Sequence, residues 1–530
     1  MSATHQAGKG LQTDVRFEAM PQWRPLWAAS TDKQLNMKTI LSCCAIWILV
    51  AARAATAAEG GKTNIACDVV IMGGGAGGLH TAFRLGPELG KNVCLFEKEN
   101  RLGGRIYDLS KTPGGPVFGL GALRIMETQE VVFNLADELG IQYVAAPFND
   151  DRISARGHFA NDSETLRALV YPSVSADEFT LYDKLRFGPE RANIDRYPDL
   201  RSYMRATIGE EGHQFLSDIF RFRGDFTYPL SARGYLDFLD EDWDVCCTPS
   251  YPIGGMSEFI RRMEQKAIQS GVRIYKSEPA LEISGGPGNS GRYRITTSNY
   301  VVTANRLVIG IDAEAFKKVG GDIALRIQAQ PQFQDLIGVK VASINQWWPT
   351  AWWTGFQGKD THRAWTTEAC LNFIEIPTTP YGANQLVTRS VYDDSRTCVD
   401  FWELTAQRGI AAVEAEIARG LKYLFPGVTI PAPDKTEVKI WPAGWYWLRA
   451  GSPFTNAQIA SWAINPLPGE QVSLVGESYN PQRSTWSDGA FKSSINTLNS
   501  VFGMTLPNQT ATATGPLPNF GKTKNLIEIQ

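Results

Sequence analysis

The sequence predicts an α/β fold with two sheets and a mostly helical insertion. Three observations carry this prediction. A strand, a glycine-rich turn, a helix and a second strand follow one another between Asp68 and Glu97. Residues 150–244 are rich in Arg, Asp, Phe and Tyr and contain helical patches, whereas residues 313–465 contain several short aromatic strands. Strands that alternate with helices favour a parallel sheet, so the first unit predicts one.

The glycine-rich turn predicts a site for a dinucleotide. Within Gly73-Gly74-Gly75-Ala76-Gly77-Gly78, glycines stand at the first, third and sixth positions. The first allows the tight turn, the third lets the backbone approach a pyrophosphate, and the sixth lets helix and strand pack closely. The helix that starts here directs unpaired N–H groups and the positive end of its dipole toward the same anion. Such a turn also occurs as a plain connection between a strand and a helix, without a ligand. The residues around the turn therefore decide between the two interpretations.

The residues that follow support the dinucleotide. Glu97 lies 19 residues beyond Gly78, at the end of the second strand. A carboxylate there accepts hydrogen bonds from both ribose hydroxyls of an adenosine and argues against a 2′-phosphate. A second glycine pair follows within Arg101-Leu102-Gly103-Gly104-Arg105. Together these neighbours favour a bound dinucleotide over a plain connection.

Composition limits the classes of function. The chain has 530 residues, which is too long for one compact core, so two or three domains are expected. The formal net charge is −3, and no basic run is interleaved with aromatic residues, so we expect no nucleic-acid partner. Small-molecule chemistry is the expected function. The sequence leaves the oligomeric state open, a homodimer included.

Residues 1–58 are expected to be a presequence. Met37-Lys38 precedes an apolar run over residues 39–52, and small residues occupy positions 54–58, which is the pattern of a secretory signal at 37–58. We therefore expect a secreted, extracellular or periplasmic protein without a stable membrane span. An uncleaved anchor stays open as an alternative, although Arg53 interrupts the run. Translation can start at Met1 or at Met37.

Cysteine and histidine do not predict a metal site. Six cysteines lie beyond the presequence, which allows one or two disulfides in an exported protein but does not determine their pairing. The adjacent Cys246 and Cys247 lack the spacing of zinc ligands, and four histidines remain in the mature chain. No metal is expected.

Three further segments point to a family. They are Gly119-Leu120-Gly121-Ala122-Leu123-Arg124, Pro252-Ile253-Gly254-Gly255-Met256, and Gly476-Glu477 followed by Trp486-Ser487-Asp488-Gly489-Ala490. With the second glycine pair, their order resembles that of the flavin-containing amine oxidase superfamily, and the first segment is most similar to one found in L-amino acid oxidases. The resemblance extends from Asp68 to about Val501 and is weakest in the insertion and the aromatic strands. It implies a Rossmann-like FAD-binding domain with a mixed-sheet substrate-binding domain and a helical insertion.

The resemblance also predicts the boundaries of the domains. The predicted parts are the presequence (1–58), a first FAD-binding part (65–128), the helical insertion (129–245), a second FAD-binding part (246–312), the substrate-binding domain (313–465), a third FAD-binding part (466–506) and a flexible tail (507–530).

The resemblance assigns a set of residues to FAD. Arg105 is expected near the phosphates, Glu477 at the ribityl chain, and Gly121 to Arg124 along one face of the isoalloxazine ring. The loop from Ser478 to Thr485 contains no cysteine, so the thioether link of some monoamine oxidases is excluded there and non-covalent FAD is expected. The expected FAD contacts are Gly73, Gly75, Ala76, Gly77, Gly78, Glu97, Lys98, Arg105, Gly121, Ala122, Leu123, Arg124, Ala280, Trp441, Gly476, Glu477, Trp486, Ser487, Asp488, Gly489 and Ala490.

The expected substrate contacts are Arg124, Glu375, Thr485 and Trp486, and the expected catalytic residues are Lys340 and Arg124. By the resemblance, Arg124 makes a bidentate pair with the carboxylate of an amino acid, Lys340 holds a water beside flavin N5, and Trp486 forms an aromatic wall. Thr485 stands where the family often has glycine, which narrows the pocket. Glu375 is expected to receive the distal cation of a Lys or Arg substrate. Ordinary alternatives stay open, namely an ion pair for Arg124 and solvent-facing positions for Lys340 and Glu375.

The function that the resemblance implies is oxidative deamination of an L-amino acid. Hydride transfer from Cα to flavin N5 gives an imino acid, which water converts to a 2-oxo acid and ammonia, while dioxygen reoxidises the flavin and yields hydrogen peroxide. Two rivals stay open. An amine or polyamine oxidase is disfavoured by Arg124, since a buried cation repels an ammonium substrate. The other rival is a flavoprotein in which FAD is structural and the chain acts as a binding or signalling partner.

Overall fold

The structure, a computed structural model, describes residues 61–126, 129–145, 151–242, 249–286, 291–356, 363–376, 386–480 and 486–507. The predicted presequence, Thr485 and nearly all of the predicted tail lie outside the described residues. All of the elements below belong to one compact unit, Lys62–Gln530.

The described strands are β1 Thr63–Met72, β2 Val93–Phe96, β3 Asp108–Ser110, β4 Val117–Gly119, β5 Tyr143–Ala145, β6 Asp151–Ala155, β7 His158–Ala160, β8 Ser250–Pro252, β9 Arg273–Tyr275, β10 Glu282–Gly286, β11 Arg292–Thr296, β12 Tyr300–Ile309, β13 Leu336–Trp347, β14 Arg363–Thr366, β15 Asn372–Glu375, β16 Val387–Asp393, β17 Lys435–Leu448 and β18 Val472–Leu474.

The described α-helices are α1 Ala76–Leu89, α2 Glu130–Leu139, α3 Ser163–Val170, α4 Glu178–Phe187, α5 Leu200–Ile219, α6 Gly224–Thr227, α7 Ala232–Asp242, α8 Ser257–Gln269, α9 Ala313–Phe316, α10 Asp322–Gln328, α11 Pro331–Gln334, α12 Arg396–Gln407, α13 Ile410–Leu424, α14 Asn456–Ile464 and α15 Ser487–Phe502. Three short 3₁₀ helices, Gly90–Asn92, Pro189–Arg196 and Glu477–Tyr479, complete the helical elements of the described ranges.

The first sheet has the strand order β10-β11-β12-β1-β2-β9, and β18 pairs with the end of β12, beyond the residues that pair with β11. β1 lies parallel to β2 and β12, and β12 lies parallel to β18, whereas β10 and β11 add an antiparallel edge. The second half of β1 is buried on both faces, as a strand covered by helices on both sides requires. The strands come from three separate segments of the chain, and the predicted α/β fold is confirmed.

The carboxyl edge of this sheet is where a ligand is expected. α1 starts at Ala76, after the glycine turn that follows β1, and packs against α8 and α15. β2 ends just before Glu97, and β18 ends just before Val475 and Gly476. In an open parallel sheet the strand ends form a crevice, so these segments meet at one edge.

The second sheet has the order β17-β13-β16-β15-β14-β6-β7. Because side chains alternate along a strand, its two faces have different neighbours. Val341, Trp441 and Trp447 pack with the insertion helices. Ala342 and Ile344 pack on the opposite face, against α12 and α13.

The insertion is mostly helical but differs from the expectation in one respect. Its helices α3, α4 and α5 begin where the carboxylates of Asp162, Asp177 and Asp199 accept a hydrogen bond from a backbone N–H of the first turn. Before these helices, β6 and β7 extend the second sheet, and β6 pairs in parallel with β14. The short, polar β6 gives little strand signal, because its conformation depends on the neighbouring strand.

Disulfides join Cys67 to Cys94 and Cys370 to Cys398. Cys246 and Cys247 lie outside the described residues. Among the described helices, none has the length and apolar character needed to cross a bilayer.

Candidate active site

The glycine turn lies at the carboxyl edge of the first sheet. Gly73 has a φ of 101°, which only glycine adopts readily. A Cβ on Gly78 would lie 2.0 Å from the carbonyl oxygen of Gly73, so helix and strand can pack this closely only with glycine there. A Cβ on Gly75 would meet no protein atom within 4 Å, and Gly75 lines a cavity together with Ala76 and Gly77. The turn thus opens one glycine toward a ligand and uses the others for conformation and packing.

Glu97 lies beside this turn, where the sequence predicted a ribose contact. Its Oε2 accepts a hydrogen bond from the backbone N–H of Gly74 at 2.7 Å, and its Oε1 accepts one from Glu99 at 2.9 Å. Burial raises the pKa of Glu97, although these two hydrogen bonds oppose the rise. A carboxylate has about four lone-pair positions, so it can accept ribose hydroxyls in addition. Lys98 and Ala280 line the same part of the cavity.

Arg105 and Glu477 come together although they are far apart in the chain. Arg105 Nη1 donates to Glu477 Oε2 at 3.0 Å and to the carbonyl oxygen of Gly444 at 2.7 Å. Burial alone would lower the pKa of Arg105, but the carboxylates of Glu477 and Asp312 raise it above its usual range. Gly476, which also lines the cavity, sets the chain direction just before Glu477. Both predicted contacts therefore border the cavity as an ion pair between a partly exposed guanidinium and a buried carboxylate.

The segment from Gly121 to Arg124 forms one wall of the cavity. A Cβ on Gly121 would lie 1.8 Å from the carbonyl oxygen of Arg105, so the two backbones can touch only because this residue is glycine. Trp441 Nε1 donates to the carbonyl oxygen of Leu120 at 3.1 Å, which fixes the indole beside this wall. The result is a polar backbone edge next to an aromatic ring.

The C-terminal motif divides into two groups. Trp486, Ser487 and Ala490 line the cavity at the start of α15. Asp488 instead forms a buried ion pair with Lys492 at 2.8 Å, and burial raises its pKa. Gly489 donates its backbone N–H to Trp486 and shapes the helix start. The predicted contact of Thr485 lies outside the described residues.

The expected FAD contacts other than Gly78, Asp488 and Gly489 line one cavity of about 1670 Å³. It extends from the glycine turn, past the Gly121 wall, to Trp365 and Phe373 of the second sheet. The residues fit FAD, because a glycine-lined helix N-terminus, a buried acid beside it and an aromatic and backbone wall follow one another in the order of a dinucleotide and its ring system.

Arg124 lies at the far end of the cavity and forms a buried ion pair with Glu375. Its Nη1 lies 2.9 Å from Glu375 Oε1, and its guanidinium lies 5.7 Å from the centre of the Trp486 ring. Burial alone would lower the pKa of Arg124, but Glu375 and the nearby Tyr251 and Tyr392 raise it. Arg124 therefore keeps its charge while it lines the cavity.

The structure corrects the role expected for Glu375. Its carboxylate is buried and accepts hydrogen bonds from Arg124 and, at 3.3 Å, from the hydroxyl of Tyr251. Burial alone would raise the pKa of Glu375, but the guanidinium groups of Arg124, Arg389, Arg221 and Arg363 lower it below its usual value. Glu375 thus pairs with several guanidinium groups. The positive charges of these groups would repel the distal cation of a Lys or Arg substrate.

The ammonium group of Lys340 contacts two carboxylates of α12. Its Nζ lies 3.4 Å from Glu403 Oε2 and 3.7 Å from Asp400 Oδ1, and 41% of its side chain is exposed. Its neighbour Val341 packs on the face of the insertion and the cavity. The ammonium group therefore lies toward α12, although Lys340 also lines the cavity, and its catalytic role stays a prediction.

Sequence reasoning missed two features of the substrate end. Arg221, Arg363 and Arg389 line the cavity with Arg124. In addition, Asp225 Oδ1 accepts hydrogen bonds from the indole N–H groups of Trp447 at 2.7 Å and Trp445 at 3.3 Å, and burial raises the pKa of Asp225 to about 7. These residues do not belong to a sequence motif. The only sequence signal for each of them would have been a charged residue inside an apolar pattern.

Comparisons with known proteins agree with this architecture. A family model described as flavin containing amine oxidoreductase matches residues 76–497. The chain is similar to Aplysianin-A from Aplysia kurodai, with 22% identity over 506 residues that cover 82% of this chain and 90% of that protein. It is also similar to achacin from Lissachatina fulica, with 30% identity over 112 residues that cover 20% of this chain and 21% of that protein.

Solved structures show the same fold. The structure of putrescine oxidase bound to putrescine has a TM-score of 0.63 and 16% identity, and the match covers 83% of this chain and 100% of that one. Cyclohexylamine oxidase from Brevibacterium oxydans IH-35A has a TM-score of 0.62 and 16% identity over 82% of this chain and 98% of that one.

Proposed function

Because the chain belongs to the flavin-containing amine oxidoreductase family, we propose that it oxidises L-amino acids to 2-oxo acids, with release of ammonia and hydrogen peroxide. Its cofactor is FAD. When bound, FAD accepts the hydride equivalent of a carbon–hydrogen bond next to nitrogen and passes both electrons to dioxygen. The residues of the chain bind and orient the substrate.

The observation that carries the proposal is Arg124. It is a buried guanidinium on the cavity wall, 5.7 Å from the centre of the Trp486 ring. Glu375 holds it in one orientation through the contact at 2.9 Å. A planar guanidinium suits a carboxylate, because two parallel N–H donors match its two oxygens. An α-amino acid bound this way presents its Cα toward the wall where the flavin ring is expected.

The nearest rival is the oxidation of amines or polyamines. Putrescine oxidase, which has the same fold, acts on a substrate without a carboxylate. The cavity of this chain brings Arg124, Arg221, Arg363 and Arg389 to its far end. Like charges in a pocket of low dielectric constant repel strongly, so an ammonium group is disfavoured there. The arginines therefore support an amino acid over a diamine.

Asp225 supports proton transfer at the substrate end. Oxidation of an amine requires the neutral nitrogen, so the ammonium of an amino acid must first lose a proton. Asp225 lines the cavity, and its pKa of about 7 lets its carboxylate accept a proton near neutral pH. Its two indole donors hold Oδ1 in place.

We also propose that the chain is exported. The disulfides Cys67–Cys94 and Cys370–Cys398 suit an oxidising compartment, as does the signal-like segment at 37–58. Amino-terminal sequencing of the secreted protein tests this proposal. A mature chain that begins near residue 58 supports export, and a chain that stays inside the cell with residues 37–58 attached contradicts it.

The deciding experiment measures the flavin absorbance band of the purified protein under anaerobic conditions. L-Amino acids, D-amino acids and polyamines are added in turn. We expect L-amino acids to bleach the band and air to restore it with release of peroxide. Bleaching only by amines contradicts the proposal, and no bleaching by any of them favours a structural flavin.

Two variants sharpen the experiment. Arg124→Lys keeps the charge but loses the paired donors, and it should raise KM for amino acids by roughly 10- to 100-fold. Arg261→Lys is the matched control, because Arg261 is an exposed arginine that pairs with Glu258 on the surface of α8. Equal KM values for the Arg124→Lys variant and the control would contradict the role of Arg124.

A further inference from the structure

The arginines at the far end of the cavity form a row across three strands. Arg363 on β14 is the register partner of Glu375 on β15, and Glu375 is the register partner of Arg389 on β16. Residues directly opposite each other on neighbouring strands share one face of the sheet. Arg389 Nη1 lies 3.8 Å from Glu375 Oε2, so Arg124 and Arg389 approach the two oxygens of one carboxylate.

Each of the three further arginines lies over an aromatic ring that also lines the cavity. The distance from Cζ to the ring centre is 5.9 Å for Arg363 and Trp365, 5.2 Å for Arg389 and Tyr392, and 5.3 Å for Arg221 and Phe373. A guanidinium is stabilised over an aromatic face at such distances. Arg389 also donates through Nη2 to the carbonyl oxygens of Gly119 at 2.8 Å and Gly121 at 3.0 Å. The guanidinium groups are therefore held in fixed places by rings and backbone.

Positive charge dominates this region, because four guanidinium groups outnumber the carboxyl groups of Glu375 and Asp225. Four guanidinium groups act on the carboxylate of Glu375. In a buried region two charges a few Å apart still interact by several kcal/mol, so a further cation is disfavoured and a further anion is favoured. The rings of Trp365, Phe373 and Tyr392 line the cavity beside these arginines and provide apolar contacts for the stem of a substrate side chain.

We propose that the cavity selects an L-amino acid that carries a second carboxylate in its side chain. Arg124 binds the α-carboxylate, and Arg363, Arg389 and Arg221 attract the side-chain carboxylate. This inference rests on the proposed function, because it names the class of amino acid that the same site takes.

The test compares acids with amides of the same shape. We expect kcat/KM for L-glutamate and L-aspartate to exceed that for L-glutamine and L-asparagine by roughly 10- to 100-fold, the range for hydrogen bonds to a charged group. Arg363→Gln should lower kcat/KM for L-glutamate more than for L-glutamine and so remove most of this preference. Arg261→Gln, on the exposed surface of α8, is the matched control and should keep the preference.

A binding measurement separates this inference from the proposed function. Glutarate and pentanoate have the same chain length and carry two carboxylates and one carboxylate, respectively. We expect glutarate to shift the flavin absorbance band of the holoenzyme at a concentration roughly tenfold lower than pentanoate. If no L-amino acid bleaches the flavin, the proposed function fails. If neutral or basic amino acids bleach it as well as L-glutamate does, the proposed function stands and this inference is wrong.

The conclusion does not depend on one variant. If Arg363→Gln fails to fold, Arg221→Gln removes another positive charge of the same group, and Arg221 lies in the insertion. The comparison of L-glutamate with L-glutamine uses the unmodified protein. Equal kcat/KM for the acid and the amide in the unmodified protein overturns the inference by itself.

Discussion

The two ends of the cavity are built in different ways. At the nucleotide end, backbone conformation and close packing at Gly73, Gly75 and Gly78 leave room for a ligand, and Glu97 is held by backbone N–H groups. At the substrate end, side chains from distant segments meet around the carboxylate of Glu375. The first end depends on local chain geometry, whereas the second depends on buried charge. Substitutions should therefore affect them differently.

The largest effect is expected at the substrate end. Glu375→Gln keeps the shape but removes the charge that balances Arg124 and Arg389, which leaves buried cations without their carboxylate. Breaking a buried ion pair costs about 3–5 kcal/mol, so we expect the free energy of unfolding to fall by that amount. Denaturant unfolding measures it. Glu138→Gln is the control, since Glu138 pairs with Arg84 at the surface and should lose less than about 1 kcal/mol. Similar losses in both variants would mean that Glu375 is not part of a buried charge cluster.

Two alanine substitutions should separate folding from cofactor binding at the nucleotide end. Gly78→Ala places a Cβ 2.0 Å from a backbone oxygen, so it should destabilise the fold by about 3 kcal/mol. Gly75→Ala meets no protein atom within 4 Å, so the apoprotein should keep its stability while FAD binds roughly 10- to 100-fold more weakly. Thermal unfolding of the apoprotein and titration with FAD measure the two effects. FAD affinity unchanged by Gly75→Ala would contradict the predicted position of the pyrophosphate.

A smaller effect is expected in the pH dependence of stability. Burial raises the pKa of Asp225 to about 7 in the folded protein, whereas an unfolded aspartate titrates near 3.8. The folded state thus binds the proton more tightly, and the stability that this proton contributes is lost as the pH rises through the folded pKa. From pH 5 to pH 7 the loss through Asp225 is about 2 kcal/mol. The pKa values of Asp108 and Asp393, raised by burial to about 6, add to the slope.

Asp225→Asn tests this expectation, because asparagine does not titrate. Its free energy of unfolding should fall less between pH 5 and pH 7 than that of the unmodified protein. The exposed Asp195, which pairs with Arg233, provides the control Asp195→Asn. An identical pH slope in the Asp225→Asn variant and the unmodified protein would show that Asp225 does not hold a proton on folding.

The smallest effect is expected for Glu97→Gln. The amide keeps one acceptor but replaces the other with donors, so one of the hydrogen bonds from Gly74 and Glu99 or one ribose bond is lost. We expect FAD affinity to fall about tenfold, which corresponds to one net hydrogen bond. Flavin fluorescence on dilution measures the release. Glu88→Gln on the exposed side of α1 should not change it, and an equal change in both variants would argue against a ribose contact.

The nucleotide end was largely predictable from the sequence. The strand, turn, helix and acid follow within about thirty residues, and the structure places Gly73 to Gly78 and Glu97 together as the pattern predicts. The sequence also predicted the position of Arg124 on the cavity wall. It assigned Arg124 a substrate carboxylate, whereas the structure adds Glu375 as its partner.

The substrate end was less predictable, because a side chain's direction depends on strand register. Lys340 alternates with Val339 and Val341 as expected, but the valines face the insertion, so the lysine faces α12. A shift of one residue reverses every side chain of a strand, and a single sequence does not show which face will meet the cavity. The partners of Glu375 could not be inferred either, since they lie on separate strands and on the insertion.

The sequence by itself determined the α/β fold and the nucleotide end, because short-range constraints on glycine, helix start and strand end act within one segment of the chain, and its resemblance to the amine oxidase family implied FAD. The tertiary structure alone decided which charges meet at the substrate end. Arg221, Arg363, Glu375 and Arg389 come together only when β14, β15 and β16 pair in register and the insertion closes over them. The physical reason is that electrostatic interactions depend on distance and burial, which pairing and packing set after the local elements have formed.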